Sequence, residues 1–110
     1  MITIEINDYD LKITGHAEFE EKGKDIVCAG ISTLFYTLYE VLLSNMNMLE
    51  EDSLKAEMED GNGLISCKPI EKFEGNVQTM YMTILTGFNL LATNYDEFIT
   101  FVVGRKTEKE

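Results

Sequence analysis

The period of the apolar positions changes several times along the chain, and each change marks an element. Ile2, Ile4 and Ile6 alternate with Thr3, Glu5 and Asn7, and Leu11 and Ile13 alternate with Lys12 and Thr14. A period of two collects one set of side chains on one face of a strand. The polar link Asn7-Asp8-Tyr9-Asp10 joins these runs, so they predict a hairpin. From Asp25 the spacing lengthens, and Val27, Ile31, Leu34, Leu38, Val41, Leu42 and Met46 recur at helical intervals. They predict a helix of about six turns, fraying by Asn45 to Asn47. Its buried stripe centres near Ile31 and Leu38, with Cys28, Ser32, Phe35 and Tyr39 on the flank.

Alternation returns at Leu54, Ala56 and Met58. Asp60-Gly61-Asn62-Gly63 then supplies turn chemistry, and Leu64 to Lys68 reads as the returning strand, ended by Pro69. The strongest helical pattern runs through Val77, Met80, Tyr81, Ile84, Leu85, Phe88, Leu91, Ala92 and Tyr95. Glu97 to Val103 is a last strand whose continuous apolar run predicts a central place or cover on both faces. The order is strand, strand, helix, strand, strand, helix, strand. It predicts one α+β domain over residues 1–110, with a mixed or antiparallel sheet covered by two long helices.

Charge narrows the partners. Nine basic residues against twenty acidic ones leave a net charge of -11, which repels phosphate backbones and argues against nucleic-acid and anionic-membrane partners. Fourteen of the acids lie in residues 1–60, several between Glu18 and Glu21 beside the single histidine, His16. That run reads either as a solvated loop or as an attraction for a cationic substrate segment. The alternating N-terminus has no basic region followed by an apolar core, so no signal peptide is expected. No apolar segment is expected to approach the ~20 residues that span a bilayer. A cytoplasmic setting with two free cysteines, Cys28 and Cys67, follows.

The chemistry concentrates between Gly15 and Ser32. An unperturbed cysteine with a pKa of ~8.5 is only a few per cent thiolate at neutral pH, so a nucleophilic thiol needs help. Cys28 falls near the predicted start of the first helix, whose partial positive charge favours an anion, and His16 lies where the second strand ends. The intervening Ala17 to Lys24 segment is charged and long enough to fold back. Residue types alone leave two readings open: a Cys-His pair, or a packed cysteine and an idle loop histidine. Asp25 reads as an N-cap or first-turn acid, Ser32 as a site donor or a helix serine bonding backwards, and Cys67 as a mid-strand packing residue. One histidine and two distant cysteines do not make a closed zinc site, and Gly61-Asn62-Gly63 is not a phosphate loop. No cofactor is expected.

Gly15-His16-Ala17, the loop ending at Gly23, and Asp25-Ile26-Val27-Cys28-Ala29-Gly30-Ile31-Ser32 resemble the signature of the ribosomal-processing cysteine protease (Prp) family. The resemblance implies a Cys-His endopeptidase, with Cys28 as nucleophile and His16 as general base and then acid. Asp25 and Ser32 match motif positions as supporting residues, and Gly15, Ala17 and Gly23 belong to a substrate loop whose glycines permit closure. It also implies a homodimer that removes an N-terminal extension from a ribosomal protein, or, in phage-encoded relatives, processes capsid or scaffold proteins. Gly30 stands where alanine is common in the family, and close backbone approach is expected there. A non-catalytic dimeric interaction protein of the same fold is the competing reading, and a redox-sensing thiol a third.

Overall fold

The structure is a computed structural model that describes residues 1–15, 24–59 and 61–104, with side chains in the first helix described from Ile26 onward. Strands β1 (Ile2–Asn7) and β2 (Asp10–Thr14) form the expected hairpin. Helix α1 (Lys24–Leu43) follows, then β3 (Lys55–Glu59), β4 (Asn62–Ser66), helix α2 (Glu74–Asn94) and β5 (Ile99–Gly104), with short 3-10 turns at Met46–Met48 and Glu71–Phe73. The five strands line up as β3-β4-β2-β1-β5, antiparallel except for the β1–β5 pair, which gives a mixed sheet and an α+β fold.

Alternation decides which face is covered. Ile2, Ile4, Ile6, Leu11, Ile13, Ile65 and Ile99 are buried beneath the helices, while Glu5, Lys12, Glu57 and Glu59 carry charge on the other face. Helix α1 contributes Val27, Ile31, Phe35, Leu38 and Leu42 to the core, and α2 contributes Val77, Tyr81, Ile84 and Phe88. Each set steps by three or four residues, the spacing of one helical face. Burying such a side chain stabilises by about 1.5–3 kcal/mol, so these rows hold the layers together.

Contacts at two glycines fix the helix pairing. A Cβ on Gly30 would lie 3.0 Å from both Leu91 methyls, and one on Gly87 would lie 2.7 Å from Leu34 Cδ2. Gly30 opposite Leu91 and Leu34 opposite Gly87 make the helices antiparallel, each leucine seated where the other helix has no side chain. The close approach at Gly30 is thus made by a side chain, Leu91, rather than by backbone. The start of α1 lies beside the end of α2, and α2 leads directly into β5.

Four expectations need correction. Strand β5 is neither central nor covered on both faces: it is an edge strand paired only with β1, and Val102 and Val103 are 43% and 58% exposed. Val102 aligns with Glu5 on the uncovered face, and β-branched residues suit a strand without full burial. Gly63 belongs to β4 rather than to the turn, which narrows to residues 60–61 between the paired Glu59 and Asn62. A Cβ there would meet Phe35 Cε1 and Met58 Sδ, each at 3.1 Å, so the buried glycine makes room for α1.

The same contact draws Phe35 from the flank of α1 into its centre, at 1% exposed, while Met46 lies outside the helix at 46%. Finally, Ile26–Leu43 is an 18-residue span of mean hydropathy 1.7, long and apolar enough to cross a membrane by length and composition. Part of this apolarity is packing, since Val27, Ile31, Phe35, Leu38 and Leu42 belong to the core cluster, while Ser32, Thr33, Thr37 and the exposed Glu40 lie on the rest of the span.

Candidate active site

Cys28 is the fifth residue of α1, just past its first turn, and is a free cysteine, partly exposed and packed against the core cluster. The helix reaches this point as an amphipathic rod held by Phe35 on Gly63, about two turns further along. Its first N–H groups have no intrahelical partners and give this end a partial positive charge beside the sulfur. Ser32 follows one turn later on the same face, also partly exposed. Thr37 donates to the Thr33 carbonyl at 2.6 Å, but Ser32 makes no such backward bond among the described residues, so its hydroxyl stays available. From Ser32 an open groove continues along α1 past Tyr36, Thr37 and Val41 to Glu40. Asp25 occupies the second helical position by its backbone, in the first turn rather than ahead of it.

Gly15 closes the strand side of the same end. It has φ +112°, a conformation that favours glycine, and its amide donates to the Gly61 carbonyl at 3.0 Å. An added Cβ would fall on the Met1 carbonyl oxygen and lie 3.2 Å from Ile2 Cα, both backbone atoms that cannot turn aside. Topology places Gly15 and Cys28 at one end of the molecule: Gly15 lies beside Ile2, Ile2 pairs with Ile99, and Ile99 follows the end of α2, next to which α1 begins. His16, Ala17 and Gly23 lie outside the described residues.

Cys67 lies at the opposite end and is 4% exposed. The Tyr81 hydroxyl donates to the Tyr9 carbonyl at 3.0 Å and sits 3.3 Å from Cys67 Sγ. With the Tyr81 proton committed to Tyr9, the thiol of Cys67 is the donor to Tyr81. Burial pushes the Cys67 thiol up, and the nearby Asp10 carboxylate adds to this. Burial likewise pushes the phenols of Tyr81 and Tyr9 up, reinforced at Tyr81 by Cys67 and at Tyr9 by Glu74. This is a proton-retaining cluster, as the packing role expected for Cys67 requires. Among the described residues no cluster of three or more histidine, cysteine or acidic side chains is placed to hold a metal ion.

Comparison with known proteins bears on the Cys28 end. Residues 1–100 match the family described as cysteine protease Prp. The chain belongs to that family. The ribosomal processing cysteine protease Prp of Mycoplasma pneumoniae is 30% identical over 108 residues, covering 98% of this chain and all of that protein. The Prp of Staphylococcus aureus, solved with a substrate peptide, has the same fold, with a TM-score of 0.75 at 22% identity over 94% of this chain and 100% of that one. Its structure with a covalently linked product peptide superposes with a TM-score of 0.73 at 23% identity over the same shares. As a member of the Prp family this chain is a cysteine protease.

Two features of the molecule were not legible as Prp motifs in the sequence. The hydrogen bond from Gly15 to Gly61 joins residues forty-six positions apart, and the glycine pair in residues 60–63 signals only a turn. The Cys67–Tyr81–Tyr9 cluster links helix α2 to the β1–β2 turn and to the residue after β4, without any sequence spacing to announce it.

Proposed function

We propose that the chain is a ribosomal-processing endopeptidase in which Cys28 and His16 form a catalytic dyad. One observation supports this most: a free, partly exposed cysteine near the positive end of α1 lies at the same end of the fold as Gly15, the residue directly preceding His16. The Cys28 thiolate attacks a substrate carbonyl carbon, and N–H groups of the first helical turn are oriented toward the resulting oxyanion. The tetrahedral adduct collapses to a thioester as His16, now protonated, gives its proton to the leaving amine. His16 then takes a proton from water, hydroxide adds to the thioester, and the adduct expels the Cys28 thiolate, leaving a carboxylic acid that gives its proton to solvent. Ser32 and Asp25 support this pair from α1.

The relatives named for ribosomal processing support a ribosomal protein precursor as substrate; that the segment removed is an N-terminal extension, and that this happens in the cytoplasm, belongs to the same proposal. A phage capsid or scaffold protein is the alternative substrate. A homodimer is part of the same proposal: Ile26, Tyr36 and Leu43 of α1 are 59%, 47% and 40% exposed, apolar side chains available for a second copy to cover. Sedimentation should report twice the chain mass.

The test of activity is a panel of precursor peptides offered to wild type, Cys28→Ala and His16→Ala. Cleavage by wild type alone is expected. Undiminished cleavage by either variant removes that residue from its role, and cleavage of phage peptides alone reassigns the substrate.

A further inference from the structure

Cys28 is held on a packed helix, whereas Gly15, the residue directly before His16 in the sequence, follows the end of β2. Three observations converge on Gly15. Its N–H donates to the Gly61 carbonyl at 3.0 Å, one step beyond the β2–β4 ladder, whose last pair is Thr14 with Asn62. Its φ of +112° turns the chain out of the strand, and the Met1 and Ile2 backbone closes the space a side chain would need. Gly61 itself has φ +84°, so the turn that presents its carbonyl also depends on a glycine conformation.

We propose that the β3–β4 turn, acting through the Gly61 carbonyl on the Gly15 amide, is the positioning element for His16. This rests on the dyad reading above. The turn makes no contact with the sulfur in this role; it fixes the direction in which the chain leaves β2 and thereby where the imidazole can go. Displacing a catalytic group by about 1 Å is enough to cost as much as 100-fold in rate, so a misplaced turn should lower reactivity while the fold survives.

The experiment is a double-mutant cycle read by alkylation of Cys28 with iodoacetamide near neutral pH, followed by mass spectrometry, which works even where peptide cleavage is lost. Gly61→Val puts a β-branched residue at positive φ and should slow alkylation by about tenfold, within the range that misplacement of a catalytic group produces. Gly61→Asn, whose side chain tolerates that region, should recover most of the rate. In a His16→Ala background the valine substitution should change the rate by less than about twofold, because the group it misplaces is already gone. Gly61→Ala, a milder displacement, carries the same cycle if the valine variant fails to fold.

Equal slowing with and without His16 makes the turn merely structural and overturns the proposal, as does an unchanged rate in the His16-containing protein. If His16→Ala by itself leaves alkylation and cleavage unchanged, the dyad reading fails first and this inference with it. That pattern is distinct from additive effects on an intact dyad.

Discussion

The two cysteines of this chain sit at opposite ends of one fold and show how differently one core can hold a thiol. Cys28 is partly exposed beside a helix start, with a serine hydroxyl one turn away that makes no backward bond. Cys67 is buried, donates its proton to Tyr81, and has its thiol pushed up by burial. Both are free cysteines packed on the same core, so residue type and hydrophobic contact do not separate them. Position relative to a helix end and commitment of the proton do.

The largest effect that sharpens this contrast is Cys28→Ala, expected to lower kcat/KM for a precursor peptide by at least about 1,000-fold, as removal of a nucleophile does in comparable enzymes. Cys67→Ala should leave kcat/KM unchanged within about twofold, since kinetic losses of this kind follow groups that act on the transition state. A comparable loss in both variants would erase the distinction. Next comes Tyr81→Phe, which leaves the Tyr9 carbonyl and the Cys67 thiol without their partner. It should cost about 1–3 kcal/mol in urea unfolding with little change in kcat, and a catalytic loss without a stability loss would tie the distal cluster to the active end.

The same cluster predicts a pH dependence of stability. Cys67, Tyr9 and Tyr81 hold their protons more tightly in the folded chain than in the unfolded one. Their stabilisation is complete below the ordinary titration range of an unfolded thiol and phenol, and is lost as pH rises from there through the raised folded-state values. The urea midpoint should therefore be flat through neutral pH and fall in alkali, beginning at higher pH in Cys67→Ala than in wild type. The smallest effect is expected from Gly30→Ala, where a helix-propensity gain of about 1 kcal/mol meets Leu91 methyls only 3.0 Å from the new Cβ. Those methyls end a flexible side chain, so the two effects should nearly cancel, with a thermal midpoint close to wild type.

Much of the architecture could be read from period alone, because Ile2-Ile4-Ile6 and Leu11-Ile13 alternate and Val77-Tyr81-Ile84-Phe88 step helically. What misled was apolarity without geometry. The run Phe101-Val102-Val103 suggests burial on two faces, yet strand preference alone suffices at an edge. Phe35 is drawn into the core by a glycine on a distant strand, which no helical wheel contains. The proposed site residues from Asp25 to Ser32 are contiguous in the sequence because one helix carries them. The Gly15–Gly61 bond is tertiary, and only the assembled sheet reveals it.

The central claim is that Cys28 forms the covalent intermediate. Acid quenching of wild type during turnover of a cleaved precursor peptide, followed by intact and fragment mass spectrometry, tests it most directly. An acyl group linked as a thioester is expected within the fragment containing Cys28, and none on Cys67. An acyl group on Cys67, or full cleavage by a chain lacking the Cys28 sulfur, would contradict it.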